Sequence, residues 1–139
     1  MFKRIVVPVD LTERSLAAVD AAFNLAQKME SEVILLHVIE TIEHIQIDEM
    51  KPFYERLATS AQAGLLEFSE RFEAEDFPVE RALLYGHRTG SIIDFAIERQ
   101  ADLIIMASHR IDPDRPGHDW SSISYAVAIL SPCPVLLVK

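Results

Sequence analysis

Five short apolar runs, separated by stretches of helical periodicity, constrain this chain more than any other feature of its sequence. The first is Ile5-Val6-Val7-Pro8-Val9, mostly β-branched and continuous rather than alternating. A continuous run suits a strand buried on both faces, as in a parallel sheet. Pro8 has no ladder donor in mid-strand and marks the strand's end. Later runs cover residues 33–39, 79–85, 103–106 and 135–138.

Between the first two runs, Thr12 can cap a helix, and Leu16, Val19, Ala22, Phe23 and Ala26 recur at helical spacing. That helix is expected to stop near residues 29–31, and residues 40–47 read as a loop. A long amphipathic helix is expected over residues 49–75, with Phe53, Leu57, Ala61, Leu65, Phe68 and Phe72 on its core face. Gly64 inside it only lowers propensity. Gly86 ends the third strand, and a short helix starting near Thr89 or Ser91 carries Ile92, Ile93, Ala96 and Ile97. Asp102 leads into the fourth strand, and a last helix spans residues 122–130.

Helices alternating with buried strands force right-handed crossovers. The predicted fold class is therefore α/β: a doubly wound, five-stranded parallel sheet in the order 3-2-1-4-5, with helices on both faces. The length of 139 residues suits one domain, residues 1–139. Ligands of such folds sit beyond the carboxyl ends of the strands, where the winding reverses. Here those ends are Pro8-Val9-Asp10, Val38-Ile39 and Met106-Ala107-Ser108.

Charge narrows the partners. The formal net charge is −9, and no basic block interrupts it. Such a surface repels nucleic-acid phosphates and anionic membranes, so neither is expected as a partner. The apolar run after Met-Phe-Lys-Arg is too short for a signal-peptide core or a membrane span, and a cytoplasmic location is expected. The one cysteine, Cys133, can form neither an internal disulfide nor a structural zinc site, and reads as a buried inert thiol between Pro132 and Pro134.

The composition shifts after the fourth strand. Residues 110–119 hold prolines, aspartates and Gly117 with almost no apolar residue. This loop of about ten residues is long for a strand-to-helix connection, and such loops often serve function. Ser108 precedes it; Ser121, Ser122, Ile123 and Ser124 follow it. Free N–H groups and the positive dipole end of the last helix, with these hydroxyls, can seat a phosphate. Equally, one of these serines can simply cap the helix.

At this point the chain resembles the universal stress protein family over essentially its full length. The resemblance is carried by Ile5-Val6-Val7-Pro8-Val9-Asp10, by Leu36-His37-Val38, and by Gly86 with Ile92 and Ala96. Ala101-Asp102-Leu103-Ile104-Ile105-Met106-Ala107-Ser108-His109 and Pro132-Cys133-Pro134-Val135-Leu136-Leu137-Val138 complete it. It implies a stress-response or regulatory module, usually dimeric, whose members often bind ATP through a spaced set of glycines and a hydroxyl. Ala107, Arg110 and Ser121 stand at the glycine positions here, and Ser122 at the hydroxyl position with Ser124 beyond it. The loop is one residue longer than that pattern. A branch of the family with Ala-Ser-His-Arg at this place still binds ATP, whereas Ser121 is the larger departure, since it adds a Cβ where glycine lets a phosphate approach.

By the same resemblance Asp10 matches the ribose position, Val38 the adenine position, and Pro8 and Met106 the pocket wall; Val9 and Ile123 complete the expected site. The implied ligand is ATP or another adenine nucleotide, with or without Mg²⁺. The other reading is an interaction protein whose pocket no longer binds nucleotide. No catalytic residue and no metal ligand is assigned, and at most slow ATP hydrolysis is expected. His109, Asp112, Asp114, His118 and Asp119 lack rigid metal-binding spacing and read as solvated loop charges. Arg110 and Arg115 either meet phosphate or offset nearby aspartates. His37 reads as a hydrogen-bonded core residue and Trp120 as an anchor for the last helix. An apolar edge at Val135, Leu136, Leu137 and Val138 invites antiparallel pairing with its own copy, giving a homodimer.

Overall fold

The first apolar run forms strand β1 (Arg4–Pro8) at the centre of a sheet, in a computed structural model that describes residues 1–108, 114 and 122–139. It lies parallel to β2 (Glu32–Glu40) on one side and β4 (Leu103–Ala107) on the other. Strand β3 (Glu80–Gly86) pairs outside β2, and β5 (Val135–Val138) outside β4, both parallel. The order is β3-β2-β1-β4-β5, as expected. Helices α1 (Leu16–Met29), α2 (Lys51–Glu73), α3 (Arg88–Glu98) and α4 (Ile123–Leu130) cover the sheet.

Continuous apolarity has its reason in two cores, one on each face. Ile5, Val7, Leu35 and Ile105 pack with Val19 and Phe23 of α1 and Leu65 and Phe72 of α2. The alternate residues Val6, Ile34, Leu36 and Ile104 pack with Ile92 and Phe95 of α3 and Val127 of α4. Side chains alternate faces along a strand, so a strand covered on both sides needs apolar residues at every position. At the amino end of the sheet, the Asp102 carboxylate accepts the backbone N–H groups of Lys3 and Arg4 at 2.8 and 2.9 Å. That link joins β1 to the entry of β4.

Several expectations are corrected. Leu16 and Ile97, read as core-facing, are 49% and 56% exposed. Both sit at an end of their helix, where the stripe runs past the sheet. Thr12 caps a 3-10 turn, Glu13–Ser15, rather than α1 itself, its Oγ1 accepting from Arg14 N at 3.3 Å. β2 extends to Glu40, a 3-10 turn (Ile47–Met50) precedes α2, and α3 starts at Arg88. The periodicity of α2 also missed Tyr54, which is fully buried and accepts Ile42 N–H at its hydroxyl, 3.0 Å away. Cys133 is half-buried, with its Sγ 3.6 Å from Ser131 Oγ. The polar loop lies outside the described residues apart from Asp114. No helix among the described residues is long and apolar enough to cross a membrane.

Candidate functional site

The carboxyl ends of β1, β2 and β4 open into a cavity of about 260 Å³. Strand β1 stops opposite Leu36, while β2 runs on to Glu40 beside β3. The overhanging part of β2 therefore has a strand partner on β3 alone. Two bonds close the end of β1: Val9 N–H donates to Leu36 O at 2.8 Å, and His37 Nδ1–H donates to Val9 O at 2.7 Å. His37 is thus hydrogen-bonded as its place in the strand predicts, and it also lines the cavity.

Asp10 follows directly. Its Oδ1 accepts the Thr12 backbone N–H at 2.9 Å, the Thr12 hydroxyl at 2.6 Å and the Ser15 hydroxyl at 3.1 Å. None of the described residues donates to Oδ2. Partial burial by itself raises the Asp10 carboxyl. The hydrogen bonds from Thr12 and Ser15 and the charge of Arg14 outweigh it and hold the group below its ordinary value. Asp10 is therefore a fixed carboxylate with one oxygen committed and one available.

Across the cavity, the end of β4 and the start of α4 supply hydroxyls. Ser122 is the N-cap of α4, its Oγ accepting Tyr125 N–H at 3.4 Å. Ser124, only 6% exposed, lies 3.2 Å from Ser122 and 3.4 Å from Ser108, oxygen to oxygen. Ser108 N–H donates to Val138 O at 2.7 Å, so the edge strand holds one end of this row.

Of the residues expected at the site, Pro8, Val9, Asp10, Val38, Met106, Ala107, Ser108, Ser122, Ile123 and Ser124 line this one cavity. Arg110 and Ser121 lie outside the described residues, as do Arg115 and the histidines of the loop. Sequence reasoning missed Arg14, Ser15, Leu36, Arg88 and Ile92, which also line it. The available signal was position: both arginines sit in the first turn after a strand's carboxyl end, where apolar periodicity carries no information. Among the described residues no group of His, Cys, Asp and Glu gathers as metal ligands.

A profile described as the Universal stress protein family matches residues 1–139. The chain belongs to the universal stress protein family. Among universal stress proteins, Sll1654 of Synechocystis is 31% identical over 139 residues, covering 99% of this chain and 86% of the relative. The solved structure of the hypothetical protein MJ0577 is 28% identical with a TM-score of 0.83, covering 100% of this chain and 96% of that one. A universal stress protein solved in complex with cAMP shares the fold at 24% identity and a TM-score of 0.73, covering 99% of this chain and 97% of its own. Another, from Archaeoglobus fulgidus in complex with dAMP, shares it at 20% identity and a TM-score of 0.64, covering 99% and 98%.

Proposed function

We propose that this chain is a single-domain regulatory module of the stress response, homodimeric, whose cleft binds ATP or another adenine nucleotide. The observation that carries this reading is the placement of Asp10 and the Ser108–Ser124–Ser122 hydroxyl row around one cavity. Asp10 Oδ2 would accept hydroxyls of a ribose. The serine hydroxyls and the first N–H groups of α4 would donate to phosphate oxygens, where the helix dipole also favours negative charge. Pro8, Val38 and Met106 would form an apolar wall for the base. The cAMP and dAMP complexes of relatives sharing the fold support the same ligand class.

Asp10 is the only carboxylate among the described residues lining the cavity. With its available oxygen given to the ribose, Mg²⁺ accompanying a triphosphate would be held chiefly by the phosphates themselves, and it would supply neutralisation of their charge. No hydrolytic step is assigned, because no described side chain is placed to activate water against a phosphate.

Dimerisation is part of the same reading. β5 is an edge strand with Leu136 exposed, and Ile129 and Leu130 are exposed at the end of the neighbouring helix α4. An unpaired apolar edge beside exposed aliphatic groups is suited to a two-fold antiparallel contact through Val135, Leu136, Leu137 and Val138.

Calorimetric titration with ATP tests the ligand. The unmodified chain is expected to bind, and Ser122→Glu, which sets a negative charge against the phosphates, is expected to abolish binding while circular dichroism stays unchanged. Absence of binding by the unmodified chain would overturn the reading in favour of an interaction protein acting through its surface alone.

A further inference from the structure

Three helix beginnings border the cavity: Ser15 at the start of α1, the first turn of α3, and the N-cap of α4. Each presents the positive end of a helix dipole. Two of them also carry an arginine that lines the cavity, Arg14 and Arg88. A cation at a helix N-terminus opposes the dipole and costs about 0.3–1 kcal/mol. Helix-end preference alone therefore does not account for an arginine at either position.

Arg88 is partly compensated, since its Nε lies 3.5 Å from Glu40 Oε2. Arg14 forms no ion pair among the described residues, and Glu13 beside it does not line the cavity. The 3-10 turn carrying Arg14 packs against β4, the strand that leads to Ser108. The charge of Arg14 is also felt at Asp10. Arg14 is thus an exposed residue that lines a cavity bearing hydroxyl donors and one carboxylate.

We infer that Arg14 reads the anionic part of the ligand and makes the cleft prefer nucleotides with more phosphate groups. This rests on the adenine-nucleotide reading above and adds a specificity residue to it. The guanidinium offers paired donors to phosphate oxygens, and no carboxylate among the described residues lies in ion-pair contact with it.

The test compares ATP, AMP and adenosine by calorimetry on the unmodified chain, Arg14→Gln, Arg14→Lys and Arg88→Gln. For the unmodified chain, affinity is expected to rise from adenosine to ATP. Arg14→Gln should weaken ATP about tenfold and leave adenosine unchanged, as loss of a charge-assisted bond requires. Arg14→Lys should recover part of the loss. An unchanged ratio of ATP to adenosine affinity would overturn the inference while leaving the nucleotide reading intact. An equal loss on Arg88→Gln would overturn the assignment to Arg14 and give the effect to the general field of the cleft. If no adenine compound binds the unmodified chain, the nucleotide reading fails, and inorganic tripolyphosphate decides the inference. Binding weakened by Arg14→Gln upholds an anion-reading role, and no binding overturns it.

Discussion

The buried hydroxyl of Ser15 meets Asp10 twice, lying 3.0 Å from its backbone nitrogen and 3.1 Å from its Oδ1. It accepts one hydrogen bond and donates the other, so a single side chain fixes both the backbone and the carboxylate at the end of β1. Ser15 is 2% exposed, which leaves water no route to replace it. Ser15→Ala is expected to cost about 1–3 kcal/mol in urea denaturation. ATP affinity should fall as well, because Asp10 loses its orientation. Unchanged stability would show that Thr12 alone holds the turn.

Asp10 also predicts an acid response. Its folded-state value lies below the ordinary one, so its contribution to stability is present above about pH 4 and is lost as pH falls through the folded value. Asp10→Asn should remove that share of the acid limb. Denaturation midpoints followed from pH 6 downward should therefore fall less steeply in Asp10→Asn than in the unmodified chain.

Gly86 ends β3 at a φ of +152°, and a Cβ there would lie 2.7 Å from Ser91 Oγ. Its carbonyl also accepts Thr41 N–H at 3.2 Å. Gly86→Ala meets both a backbone that side chains avoid and a steric clash, and should destabilise by about 1–3 kcal/mol. Adding Ser91→Ala should relieve only the steric part, which thermal denaturation of the double variant would resolve.

Glu30 and Gln100 adopt left-handed backbone just past α1 and α3, at φ of 55° each. Glycine suits such helix ends better. Glu30→Gly and Gln100→Gly should each raise stability by about 0.5–1 kcal/mol, read as a higher midpoint in urea.

Leu136 is 40% exposed on the edge strand. Leu136→Asp would bury a charge without a partner in the proposed two-fold contact and should shift a dimer to monomer. Light scattering at micromolar concentration checks this. A monomeric unmodified chain would remove the dimer from the proposal.

The parallel sheet was legible in the sequence because double burial demands apolarity at every strand position, and Ile5-Val6-Val7 meets that demand locally. Those runs and the handedness of the crossovers leave more than one doubly wound order open, and the pairing of β1 with both β2 and β4 in the tertiary structure decides for 3-2-1-4-5. The carboxyl-end residues were legible too, since a switch point is a property of topology. Periodicity misplaced Leu16 and Ile97 because it locates a helix face but not where that face outruns its sheet.

Gly64 marks the limit of such reading. By sequence it is only a weaker helix residue. In the fold a Cβ on it would lie 2.7 Å from Leu11 Cδ2, so its bareness leaves room for the side chain next to Asp10. The chain by itself determined the doubly buried strands and hence the α/β class, because burial on both faces is written in an unbroken apolar run. Only the tertiary structure decided that Arg14, Ser15, His37 and Arg88 share a cavity with Asp10 and Ser124. Most of these residues are far apart in the chain, and a polar side chain, even one as near as Arg14 or Ser15 is to Asp10, carries no local periodicity to say which way it faces.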